Sequence, residues 1–389
     1  MELLASIGGA SGSFLSYVVP FLFVLTLVVF FHELGHFLVG RWCGVTVETF
    51  SIGFGRELVG WTDKKGTRWK IGWLPLGGYV KFLGDSSAAS TPDRESMNKL
   101  DESARANTLH AKTVGQRAAV VAAGPFANFL LSIVLFAGIF MIVGQTITAA
   151  RVDEVKPDSA ALEAGFQTGD IIRSIDGQKI EGFNDMQRIV AMSAGVPLSV
   201  TVERGGEMLT LTATPRATEI TDRFGNEQKI GILGIGRNIE KDEVEHVRYG
   251  PVTALWKGVE ETWFVVARTG EYLGGMVMGQ QDTSQLGGPL RIAQVSGQVA
   301  TIGFDALINL AAILSVSIGL LNLLPIPMLD GGHLLFYAVE AVRGRPLGEQ
   351  AQEIGFRIGL AFVMMLMVFA TWNDLVNLRV VEFFSNLLS

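Results

Sequence analysis

At 389 residues, with 49% hydrophobic and 18% charged residues and a mean hydropathy of +0.36, the chain has the length of two or three domains and the composition of a membrane protein. A formal net charge of -7 and a pI near 5.4 argue against a nucleic-acid binder, which carries a basic stripe. The single cysteine, Cys43, excludes an intramolecular disulfide and a four-thiolate zinc site, so any metal must be held by His, Asp or Glu.

From the N-terminus, Leu3 to Phe31 is uncharged, without the positive segment of a secretory signal and too long for one, and reads as a retained span. Four stretches have the roughly 20 apolar residues needed to cross a bilayer: Phe14 to Gly40, Ala118 to Val143, Ala306 to Leu324 and Ile354 to Leu378. Arg41, Arg56, Arg105, Lys112 and Arg117 follow the first span and nothing basic precedes it, which places the first connector in the cytoplasm. Alternation then puts 144–303 and both termini outside.

The connector opens with Val45 to Gly84, whose glycines, aromatics and β-branched residues, with turns at Asp63-Lys64-Lys65-Gly66 and Leu76-Gly77-Gly78, predict β-hairpins. Ser86 to Ala111 reads as a polar, mobile stretch. Outside, Val152 to Ile180, a helical patch at Asn184 to Ala194 and alternating runs at Leu198 to Glu203 and Met208 to Ala213 predict a small β-rich module. Pro251 to Met278 is amphipathic, with Trp256, Val259, Trp263 and Val266 on one stripe, and is expected at the membrane surface.

The chemistry concentrates in His32-Glu33-Leu34-Gly35-His36. Spacing of i and i+4 on a helix points two imidazoles at one metal, and the adjacent carboxylate reaches water bound there. Ionisable groups at a span end are costly and mark function. A catalytic zinc needs a third ligand, for which Asp330 is the clear candidate. It follows span three in Asn322-Leu-Leu-Pro-Ile-Pro-Met-Leu-Asp-Gly-Gly332, where prolines and glycines break the helix beside a cavity. His333 is a further possible ligand, with an outer or structural role favoured. Asn322 serves either a substrate backbone or helix packing. Gly124-Pro125 with Asn128 favours close helix approach, and His110 and His246 carry no assignment.

Together His32-Glu-Leu-Gly-His36, Pro75-Leu-Gly-Gly-Tyr-Val-Lys-Phe82, Gly124-Pro-Phe-Ala-Asn128 and Asn322 to His333 resemble the bacterial site-2 proteases of the RseP type, intramembrane zinc metalloproteases. The resemblance implies an α-helical membrane protein with four transmembrane helices, a cytoplasmic membrane-associated β-loop at 45–84 and one periplasmic PDZ-like α+β module. It implies one Zn2+ per chain on His32, His36 and Asp330, and Glu33 as the catalytic carboxylate. Gly231, Ile232, Leu233, Gly234 and Ile235 are similar to a PDZ carboxylate-binding loop, with a plain turn as the alternative. The extended run through Gly77, Gly78, Tyr79 and Val80 is the candidate holder of substrate.

The expected plan is a first span (1–41), connector (42–117), second span (118–143), PDZ-like domain (144–240), amphipathic helical region (241–303), third span with its motif (304–333), cytoplasmic link (334–353) and fourth span with tail (354–389). Expected partners are the lipid bilayer and single-span membrane proteins such as anti-sigma factors or signal-peptide remnants, at a bacterial inner membrane, with no nucleic acid. The competing readings are a membrane scaffold, for which Glu33 would have no use, and a metal transporter, which would need ligands along several spans.

Overall fold

The four apolar runs form long helices in the structure, a computed structural model describing residues 2–85, 100–221, 227–238, 245–279 and 287–377. Their apolar portions are Leu15–Trp42, Val114–Ile142, Phe304–Asn322 and Gln350–Val376, each long enough to cross a bilayer. The chain divides into two compact units, Met1–Ile139 with Pro251–Ser389, and Phe140–Gly250.

In the first unit small residues set how closely the spans approach. Gly35 of span one lies against the Ala123 carbonyl and Ala127 of span two, and Gly319 of span three against Pro125 and Asn128. Ser315 Oγ donates to the Asn128 carbonyl at 2.8 Å. Spans one and three meet through Val24, Val28, Leu307 and Ala311. Span four leans on the turn after span three, where Gly359 abuts Pro327. Its buried Asp374 accepts the N–H groups of Gly288, Leu290 and Arg291 at 2.8, 3.1 and 3.1 Å, which caps the helix Pro289–Ala300.

The helix expected at the membrane surface, Pro251–Val277, instead packs along span two. Its inner seam is Ala254, Gly258, Thr262 and Val265. Gly258 meets the Ile133 carbonyl and Ala137, and the Thr262 hydroxyl lies 3.2 Å from that of Ser132. Trp256, Val259 and Trp263 face away and are exposed. The small residues on the seam decide which face turns inward, because they allow backbones to close up where tryptophan cannot.

The expected hairpins form one folded-back sheet. The strands Val47–Thr62 and Arg68–Phe82 each bend at a glycine-rich run, and Phe50 pairs with Val80 on one side and Trp69 on the other. Val59 and Trp61 pair with Ile71 and Trp69, so four strand segments lie in the order 78–82, 47–52, 68–71, 59–62. Segment 78–82 is therefore an edge. Fully buried Phe50 joins this sheet to span one, with its ring 5.4 Å from Phe37 and stacked 4.4 Å from Trp69. Arg41, at the end of span one, pairs with Asp63 in the hairpin turn and donates to Thr67 Oγ1 at 2.9 Å. Leu58, Trp73 and Leu76 remain exposed on the sheet. Most of the polar stretch that follows, 86–99, lies outside the described residues, as does the tail 378–389. The chain returns through a short helix, Glu102–Ala106, and a 3-10 turn where His110 Nε2 sits 3.2 Å from Asp85.

The second unit contains a four-stranded antiparallel sheet in the order Gln178–Lys179, Ile171–Ile175, Leu198–Arg204, Glu207–Ala213, with three further two-stranded pairings. The helix Phe183–Met192 buries Phe183, Met186, Ile189 and Val190, the inward face of a 3.6-residue repeat. Arg204 grips buried Asp170 with Nε and Nη2 at 2.7 and 2.8 Å. Burial opposes ionisation of Asp170, but the hydrogen bonds from Arg204 outweigh it and hold the carboxyl below its usual range.

Candidate active site

One helical turn separates His32 from His36, and their Nε2 atoms lie 3.2 Å apart. Asp330 Oδ2 lies 3.1 Å from the first and 3.5 Å from the second. Among the described residues these three make the group of side chains that could hold a metal ion, with all ligand atoms within 4.8 Å of one another.

Asp330 reaches this point because of how span three ends. The helix stops at Asn322, Pro325 and Pro327 keep the chain from continuing it, and a new helix, Asp330–Arg343, begins with Asp330 as its first residue. Much of the stretch expected to be a link is therefore helical. The turn is compact enough to require glycine. A Cβ on Gly331 would fall 2.1 Å from the Leu324 carbonyl oxygen, and one on Gly332 would fall 2.4 Å from that of Ile326. Met328 has a φ of 89°, a left-handed conformation that costs on the order of 1–2 kcal/mol in a non-glycine residue. The part-buried ion pair of Arg117 and Glu340, 2.6 Å long, ties the new helix to the start of span two.

The three residues fit a cation. Asp330 Oδ2 is buried without a hydrogen-bond partner. His36 Nδ1 donates to the Val120 carbonyl at 2.9 Å, which leaves its Nε2 lone pair facing that oxygen. An anionic oxygen and a nitrogen lone pair repel unless a positive charge lies between them. Two imidazoles and one carboxylate form a three-residue donor set of the catalytic-zinc type, which keeps a fourth position open.

A cavity of about 180 Å³ opens beside the group, lined also by Glu33, Val80, Phe82, Asn322, Met328 and His333. Glu33 faces the sheet, with its carboxylate beside the backbone N–H of Val80. Gly78 is close by, since a Cβ there would fall 3.3 Å from Glu33 Cγ. Tyr79 turns to the other side of the strand, where it stacks on Phe54 with ring centres 6.0 Å apart. His333 lines the cavity and packs against Phe356, 5.3 Å between ring centres, outside the group of three.

Gly231 to Ile235 lie in the second unit. Gly231 abuts the Val190 carbonyl at the end of the helix Phe183–Met192, the Leu233 carbonyl accepts from Ala161 at 2.8 Å, and Gly234 turns with a φ of 83° against Ser159.

Two residues of span two at this site, Val120 and Val121, escaped the sequence reading, and Gly124 was read there only as a position of close helix approach. Val120 and Val121 line the cavity, and Gly124 touches both histidine rings. Their signal was available as the i, i+4, i+8 stripe 120–124–128, but apolar residues and glycine announce no chemistry.

A membrane-spanning bundle with a two-histidine, one-carboxylate group defines a class, and the comparisons agree. Residues 20–366 match peptidase family M50, and the chain belongs to this family, the site-2 proteases. It is 53% identical over 373 residues to a provisionally named zinc metalloprotease of Agrobacterium fabrum, covering 96% of this chain and 99% of the relative. It is 51% identical over 362 residues to one of Rhizobium meliloti, covering 93% and 97%. It is 41% identical over 398 residues to metalloprotease MmpA of Caulobacter vibrioides, covering 97% and 99%. The protein is a zinc metalloprotease that has, among its described residues, four apolar helices long enough to span a membrane.

Proposed function

We propose that this protease cuts peptide bonds within or near the transmembrane segments of single-span proteins, with His32, His36 and Asp330 as zinc ligands and Glu33 as general base. The observation that carries the reading is the convergence of the three ligand atoms, the Glu33 carboxylate and the sheet edge at Val80 on one cavity.

Bound zinc supplies a Lewis acid that polarises the scissile carbonyl and lowers the pKa of water. Glu33 takes the proton of the attacking water on its carboxylate and delivers it to the departing amide nitrogen. Asn322, on the cavity wall, donates to the substrate backbone and holds it against Glu33. A helical substrate keeps its peptide carbonyls in its own hydrogen bonds and must unwind to present one to the site. Substrate therefore enters extended, pairing with the edge 78–82 through the outward groups of Gly78 and Val80. The exposed Leu58, Trp73 and Leu76 suit a sheet seated at the membrane interface.

In this reading the site opens to the cytoplasm of a bacterial inner membrane, and both termini and the module at 144–240 lie in the periplasm, as the arginine-rich connector favours. The module is PDZ-like, and the backbone of Gly231 to Ile235 either captures a chain terminus or serves only as a turn in a domain that turns away bulky substrates. Anti-sigma factors and signal-peptide remnants are the substrate classes proposed. Glu33→Gln tests the core of the reading. It should keep zinc and lose cleavage of a single-span reporter, and unchanged cleavage would overturn the assignment.

A further inference from the structure

Val120, Gly124 and Asn128 lie at i, i+4 and i+8 on span two and face the two histidines. His36 is held from behind by the Val120 carbonyl, 2.9 Å from Nδ1. His32 Nε2 points at Asp330 and at His36, so zinc bound there leaves the ring proton on Nδ1, where it needs an acceptor. The group at Nδ1 is the side-chain amide of Asn128, a fully buried residue, with Nδ2 at 3.3 Å and Oδ1 buried without a partner. Two donors would then face each other beside an idle acceptor. Exchanging the two ends of the amide, which differ only in which atom is named oxygen, puts Oδ1 against Nδ1–H.

From this we infer that Asn128 is a positioning residue, whose side-chain oxygen accepts the Nδ1 proton of His32 and so fixes the tautomer and ring orientation that present Nε2 to zinc. The inference rests on the metal-site reading above. It gives span two a chemical task beyond packing: a backbone carbonyl for one histidine and a side-chain carbonyl for the other, one turn either side of Gly124. Outer hydrogen bonds of this kind orient ligands and raise their basicity, and their loss typically weakens metal binding about 10–100-fold.

The test is zinc affinity of the purified full-length protein, by competition with a chromogenic chelator, together with the melting temperature of the metal-stripped form. Asn128→Leu keeps the volume and removes the acceptor, and should bind zinc about 10–100-fold more weakly. Asn128→Asp offers oxygen at both positions and should bind within a few fold of the parent. Metal-stripped melting should not separate the two variants in the way zinc affinity does. Parent-like affinity in Asn128→Leu, or loss in Asn128→Asp as large as in Asn128→Leu, overturns the inference. If Asn128→Leu does not fold, Asn128→Asp decides alone, a tenfold loss counting against; if neither folds, the residue is structural and the inference falls. His32→Ala distinguishes the two levels, because retention of zinc in that variant sinks the metal-site reading itself.

Discussion

Gly124 sits so close to His36 that a methyl group on its α-carbon would lie 2.3 Å from Nε2, and 2.9 Å from Cε1 of His32. Gly124→Ala should therefore separate stability from metal binding. Alanine favours a helix interior by about 1 kcal/mol over glycine, yet here its side chain displaces the imidazole edges. The expected outcome is a protein that inserts and folds with zinc content reduced at least tenfold. Full zinc occupancy in this variant would show that the histidines do not converge as described.

Asp330→Ala removes the sole anionic member of the group. Zinc should be lost more completely than by any change behind the histidines, because a ligand itself disappears. Metal analysis of the protein purified in detergent reads this directly, and His333→Ala, outside the group of three, should retain zinc alongside it.

Val80→Pro addresses the sheet edge. Proline is tolerated at an edge whose N–H points away from the neighbouring strand, and the Val80 N–H points at Glu33. The sheet should survive while cleavage of a single-span reporter falls by about 100-fold, within the range by which general-base contributions are measured. Retained zinc with lost cleavage is the expected pair of results, and unchanged cleavage would remove the edge from the mechanism.

The tie between span one and the sheet has a pH signature. Burial pushes the Asp63 carboxyl upward, but hydrogen bonds from Trp69, Arg41 and the backbone N–H groups of Lys65 and Thr67 prevail and bring it down to about 2 from an ordinary 3.8. A folded-state pKa below the unfolded one adds stability that is full above about pH 4 and disappears as the pH falls toward 2. Asp63→Asn should melt below the parent at pH 7, and the gap should close with acidification. A gap that stays constant between pH 7 and pH 3 would show that ionisation of Asp63 contributes nothing.

Much of the bundle was legible because a bilayer requires about 20 apolar residues per helix, and runs such as Ala118 to Val143 satisfy this without competing signals. The spacing of His32 and His36 was likewise readable from helical period alone. The folded-back sheet was not, because its double pairing through Phe50 is set by bends whose glycines fit a simple hairpin equally well. Nor was the inward face of Pro251–Val277, where the conspicuous tryptophans drew attention and the quiet seam of Ala254 and Gly258 makes the contact. Asp330 could be picked from its motif, whereas its exact meeting with the histidines depends on the turn held by Gly331 and Gly332.

The edge position of segment 78–82 bears on what the enzyme is able to choose. A strand edge engages peptide groups, which every residue carries alike, so substrate paired there offers little by which one side chain is preferred over another. Selection would then fall on the substrate's own helix: a segment rich in glycine, proline or β-branched residues comes apart readily, and one rich in leucine resists. Under the proposed mechanism the protease grades its substrates by the fragility of their fold, before any residue at the cut is inspected.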